Sequence, residues 1–126
     1  MFRTLEVSLF DLVFGLSEAI DLISKELNLH QQRVAYIAYK IGLELKYPAK
    51  QLNTVTIAAA LHDIGALSLQ ERLLTLQFED NRPQQHQERG FRLLKTFEPF
   101  TKAADYIRYH HVHWCNWQEG MPPKAI

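Results

Sequence analysis

Apolar side chains recur at intervals of three and four along most of the chain, and this spacing is what most constrains the fold. Leu5, Leu9, Leu12, Val13, Leu16, Ile20 and Ile23 would line one face of a helix running from about residue 5 to residue 24. Val34, Ile37, Ala38, Ile41 and Leu45 keep the spacing in a second helix that begins near His30. It must stop before Pro48, because proline disfavours helix in the residue ahead of it. A third helix is expected over about Gln51 to Ile64, with Gly65 as its stop. Ser68 followed by Glu71 reads as the capping box of a short helix through Leu76. The polar stretch FEDNRPQQ reads as a loop. Further helices are expected from about Gln84 to Phe97, and from Pro99 to about His111. Nothing alternates at period two, so the chain reads as all-α.

A chain of 126 residues is enough for one domain around one hydrophobic core. Its 14 Lys and Arg balance its 14 Asp and Glu, which gives no electrostatic case for binding nucleic acid or an anionic membrane. The run VSLFDLVFGL is interrupted by Asp11, is too short to span a bilayer and lacks a signal-peptide cleavage site. Cys115 is the only cysteine, so no internal disulfide can form and a reducing, cytoplasmic setting is expected. Residues 1–126 read as a single domain. The aperiodic ending HWCNWQEGMPPKAI suggests the N-terminal part of something longer.

The segment AAALHDIGAL places His62 and Asp63 in the middle of an apolar run. A buried carboxylate must be compensated, either by a hydrogen-bond network or by a metal ion. Six histidines are the compositional oddity of the chain. His30 lies near a helix start, His62 and Asp63 near a helix end, His86 early in another helix, and His110 with His111 at the close of a fourth. Glu26 precedes His30 by four residues and would share its face on a continuous helix. Neutral imidazoles and carboxylates brought together from several elements are what a divalent metal requires. Taken singly, each histidine reads more readily as a cap or a surface residue than as a ligand. The His62-Asp63 pair reads as a structural hydrogen bond or as two ligands, and His110 and His111 could face opposite ways.

In order and spacing, HQQRVAYIAYKIG, AAALHDIGAL, HQERGFRLL and YHHVHW together resemble the HD superfamily of metal-dependent phosphohydrolases. Within it the sequence is most similar to the HD-GYP branch, whose members hydrolyse cyclic di-GMP. The resemblance covers about residues 18–123. It implies an HD-domain helical bundle of about five to seven helices. It also implies that His30, His62, Asp63, His86, His110 and His111 ligate divalent ions, with Glu26 as a further ligand for a third. Two ions are expected, whether Fe, Mn, Zn, Ni or Mg. Asp63 would bridge them, and Asp63 and His62 would carry the catalysis through a metal-activated water. The implied substrate is a small phosphoester or nucleotide, most specifically a cyclic dinucleotide. Sensory or receiver domains are the partners such a domain keeps in a longer bacterial signalling chain, and a homodimer is open.

The sequence departs from the family pattern in three places. Ala66 stands where a lysine near the phosphate is usual, Val112 where a glutamate usually follows the paired histidines, and Gly120-Met121-Pro122 where the Gly-Tyr-Pro signature is expected. Restoring lysine at position 66 is expected to raise turnover. These departures support a rival reading, a catalytically degenerate HD module that binds nucleotide or a protein partner. Arg33 and Arg89 each follow a candidate ligand by three residues and are candidates for holding substrate phosphate, or are simply exposed helix arginines. Trp114 and Trp117 are expected to pack or cap. Tyr36, Tyr39, Tyr106 and Tyr109 are expected in the core and at interfaces, and His113 is expected to be exposed or to support the ligands.

Overall fold

The computed structural model describes residue 4 and residues 6–22, 28–66 and 83–122. Among them five α-helices and no strands are present, so the chain is all-α as its periodicity implies. They are α1 (Leu9–Asp21), α2 (His30–Glu44), α3 (Ala49–Ala60), α4 (Pro83–Lys95) and α5 (Thr101–Arg108). Short 3-10 turns occupy Glu98–Phe100 and Trp114–Asn116. Glu26, the expected short helix from Ser68 to Leu76, most of the FEDNRPQQ loop and the Trp114 side chain lie outside the described residues.

Helix boundaries differ from the periodicity in ways that local hydrogen bonding explains. α1 starts at Leu9 rather than Leu5 because the Ser8 hydroxyl accepts from the Asp11 amide at 3.1 Å and caps the helix. α3 ends at Ala60 rather than Ile64. Leu61 leaves helical backbone at φ −121°, and residues 61–65 form turns instead. Gly65 is therefore not the helix stop, nor does it adopt left-handed backbone. Pro99 lies within a 3-10 turn before α5 rather than opening the helix, and α5 closes at Arg108, so His110 and His111 stand beyond the helix.

Val13 and Ile20 of α1, Ala35 of α2, Ile57, Ala58 and Ala60 of α3, Leu61, Leu94 of α4, and Phe100, Ala103, Ala104 and Ile107 at α5 form the core. Buried alanines line the inward faces of α3 and α5, and Leu61 and Ile107 are among the largest fully buried side chains. Burying each of these large side chains is worth about 1.5–3 kcal/mol. α4 and α5 are further joined by Lys95 to Asp105 at 2.8 Å, Arg108 to Glu88 at 3.1 Å, and Arg108 over the Phe91 ring. Tyr36 and Tyr39 depart from expectation. Both are exposed on the outer face of α2, Tyr36 at 63%, because Ala35 and Gly42 supply the inward face.

Candidate metal centre

Each candidate ligand among the described residues sits near or just beyond a helix end, and the four ends concerned converge. His30 is the first residue of α2, and His86 lies in the first turns of α4. His62 and Asp63 occupy the turn after α3; His110 and His111 occupy the turn after α5. Neighbouring residues on a helix point about 100° apart. A turn frees an adjacent pair from that constraint, and here both members of each pair face inward. His110 and His111 thus approach the same His86 ring, at 3.3 and 3.1 Å between Nε2 atoms.

Asp63 is the centre of the arrangement, 4% exposed, and its two oxygens face different groups. Oδ2 lies 3.0 Å from His62 Nε2 and 3.6 Å from His30 Nε2. Oδ1 lies 3.8 Å from both His86 Nε2 and His110 Nε2. Two clusters result, one of His30, His62 and Asp63, the other of Asp63, His86, His110 and His111.

The tautomers of two rings are fixed by the backbone. His110 Nδ1 is 2.6 Å from the Ile107 carbonyl, and His62 Nδ1 is 2.8 Å from the Ala59 carbonyl. A carbonyl only accepts, so each Nδ1 carries a hydrogen; Nε2 is then bare in the neutral His110 ring and carries a second hydrogen toward Asp63 when the His62 ring is protonated. Burial works against charge on His62. The Asp63 carboxylate, its hydrogen bond, the Ala59 carbonyl and Asp21 outweigh it and hold the His62 pKa above the ordinary imidazole value. Burial, with His62 and His111 nearby, holds His110 well below that value, and so neutral. Burial would raise Asp63, but the His62 charge, hydrogen bonds from His30 and His62, and the field of His110 keep it well below the usual carboxylate range.

These residues fit a divalent cation. Donors around one first-row ion, at bonds of about 2.0–2.2 Å, stand roughly 3.0–3.6 Å from each other. The nitrogen and oxygen separations above span 3.0 to 3.8 Å. A carboxylate ringed by imidazole nitrogens calls for a cation, either a proton on one ring or a metal ion among them.

The family model described as HD domain matches residues 16–122. The chain belongs to the HD domain family. A protein named 3'3'-cGAMP-specific phosphodiesterase 1 from Vibrio cholerae is 32% identical over 110 residues, covering 86% of this chain and 25% of its own length. A protein named cyclic di-GMP phosphodiesterase from Thermotoga maritima is 27% identical over 131 residues, covering 92% of this chain and 35% of its own. This HD domain chain therefore spans a quarter to about a third of the length of those relatives. No solved structure matches it significantly.

The remaining candidates are placed less centrally. Arg33 is exposed on α2, one turn after His30. Arg89 lies one turn after His86, and its Nε donates to the Gln85 carbonyl at 3.2 Å. His113 is exposed, and the Trp117 ring packs on Tyr109 at 6.4 Å. Ala66 is 0% exposed, so the position where the family pattern has lysine is here a packed site. Two participants were not legible in the sequence. Gln31 reaches Asp63 from inside α2, and Gly65 brings the Asp63 turn against α4. A polar residue beside His30 on an otherwise inward face was the one signal for Gln31. Nothing in the sequence signalled the Gly65 contact.

Among the described residues no helix is long and apolar enough to cross a membrane.

Proposed function

We propose that this HD domain is a metal-dependent phosphodiesterase acting on a cyclic dinucleotide such as cyclic di-GMP or 3'3'-cGAMP. The observation that carries the reading is the buried Asp63 carboxylate dividing its two oxygens between two histidine groups. His30, His62 and Asp63 would hold one divalent ion, and Asp63, His86, His110 and His111 a second. Imidazole-rich sets of this kind suit iron, manganese, zinc or nickel better than magnesium. Bound there, such ions polarise a phosphoryl oxygen and lower the pKa of water. The chain's own residues do the rest. Asp63 stays ionised and joins the two groups, the Ala59 and Ile107 carbonyls lock the His62 and His110 rings, and Arg33 and Arg89 stand one turn away as phosphate contacts. The relatives' names support the substrate class, and their length supports reading residues 1–126 as one domain of a longer signalling protein.

The test is metal content per chain for the wild type and for Asp63→Ala, followed by hydrolysis of cyclic di-GMP and 3'3'-cGAMP. About two equivalents are expected in the wild type, lost together with hydrolysis in the variant. A wild type that folds and binds no metal would overturn the reading. The buried Ala66 favours one second reading, a module that binds the dinucleotide without cleaving it. Tight binding of cyclic di-GMP by the metal-loaded chain with no turnover would select it.

A further inference from the structure

Gln31 is 1% exposed, in the first turn of α2, next to His30. Its Nε2 donates to Asp63 Oδ2 at 3.2 Å. The reverse amide orientation would set a carbonyl oxygen against a carboxylate, so the N–H end must face Asp63. Its backbone amide in turn donates to Asp21 Oδ2 at 3.1 Å, tying the end of α1 to the start of α2. The other end of the same amide, Oε1, is buried and accepts no hydrogen bond among the described residues. A buried carbonyl without a donor costs stability, so an apolar side chain of similar volume would serve the core better. What the amide contributes is its N–H to Asp63.

We propose that Gln31 is a positioning residue for the metal centre. It fixes the rotation of the Asp63 carboxylate so that Oδ2 stays with His30 and His62 while Oδ1 stays with His86 and His110. The inference rests on the function proposed above and extends it to a residue that is not itself a ligand. Without the Gln31 N–H, among the described residues only the His30 ring of α2 and the His62 ring after α3 face Oδ2. The carboxylate can then swing toward the larger cluster of His86, His110 and His111, which has more donors to offer an ion. The cluster of His30 and His62 is the one that suffers. Hydrogen-bond partners of ligating carboxylates typically govern metal affinity by 10–100-fold.

The experiment compares the full wild-type chain with Gln31→Met and Gln31→Glu, by calorimetric titration of each metal-stripped protein with Mn(II) and by thermal unfolding of the metal-free proteins. Gln31→Met keeps the volume and removes the N–H. Gln31→Glu keeps the shape and replaces the N–H with an oxygen that repels Asp63. The wild type should take up two equivalents. Both variants should keep the first and bind the second about 10–100-fold more weakly. The metal-free Gln31→Met chain should melt no lower than the wild type, an outcome that a purely structural role would not give. Wild-type affinity for both equivalents in either variant overturns the proposal and leaves the proposed function standing. Tighter binding in Gln31→Glu makes position 31 a ligand and also overturns it. A wild type that binds no Mn(II) overturns the functional reading itself. Should Gln31→Met fail to fold, Gln31→Glu decides the matter alone.

Discussion

Leu29 immediately precedes the first ligand and has φ 60°, in the left-handed region where a side chain costs about 1–2 kcal/mol. Its side chain is 43% exposed, so burial offsets only part of that cost. Leu29→Gly should therefore raise stability by about 1 kcal/mol, seen as a higher midpoint in thermal or urea unfolding; an unchanged or lower midpoint would contradict it. A second prediction at this scale concerns protons. His110, held below 6.5, binds its proton more readily when unfolded, so its contribution to stability falls as pH drops below 6.5. His62, held above 6.5, does the opposite: its contribution is full below 6.5 and is lost as pH rises through the folded value. The metal-free chain should therefore be most stable near pH 6.5. Because divalent ions displace these protons, saturating Mn(II) should move the maximum upward. Melting curves from pH 5 to 9, with and without the metal, check both statements, and a metal-free maximum above pH 8 would refute the assignment.

Two turns carry the site, and the elements around them were only partly legible. A helix from about Gln51 was legible, but not that it would end before His62. The histidines could be selected from their order along the chain. That His110 and His111 both point inward could not, because an adjacent pair shares a face only where the helix has stopped, and α5 stops through the hydrogen bonds of Tyr109 and His110 to Tyr106 and Ile107. Gly65 shows most clearly what the sequence left open. A Cβ built there would collide with the His86 carbonyl oxygen and stand 2.5 Å from the Gly90 nitrogen, both backbone atoms of α4. The glycine is needed for close approach, and it sets the distance from which His86 reaches Asp63. Gly65→Ala should push α4 outward, destabilise the chain by about 1–3 kcal/mol and weaken the metal held by His86; retained metal affinity would show that α4 is not positioned by this contact. Ala66 follows the same logic. A lysine there would enter a fully buried site, so Ala66→Lys should lower the melting temperature without raising turnover, contrary to what the family pattern alone suggests. Higher turnover in that variant would show that the site opens to accept the side chain.

At the scale of the molecule, the centre joins four helices that also meet through apolar packing and ion pairs. His30 begins α2, His62 and Asp63 follow α3, His86 lies in α4, and His110 and His111 follow α5. Without a metal ion, the Asp63 carboxylate is compensated by the His62 proton and by hydrogen bonds alone. With one, the same atoms become a crosslink between distant parts of the chain. A ligand present at about a thousand times its dissociation constant stabilises the folded state by about 4 kcal/mol. Removing metal with a chelator should therefore lower the melting temperature by on the order of 10 °C or more. Asp63→Ala should be insensitive to both metal and chelator. Hydrogen exchange should localise the effect. Protection should rise on metal binding at residues 61–65 and 109–111 and at the start of α2, and change least at the far end of α2, whose last turn is closed by the Tyr47 amide on the Gly42 carbonyl. Protection that rises equally along the whole chain would mean that the ion stabilises the fold from elsewhere.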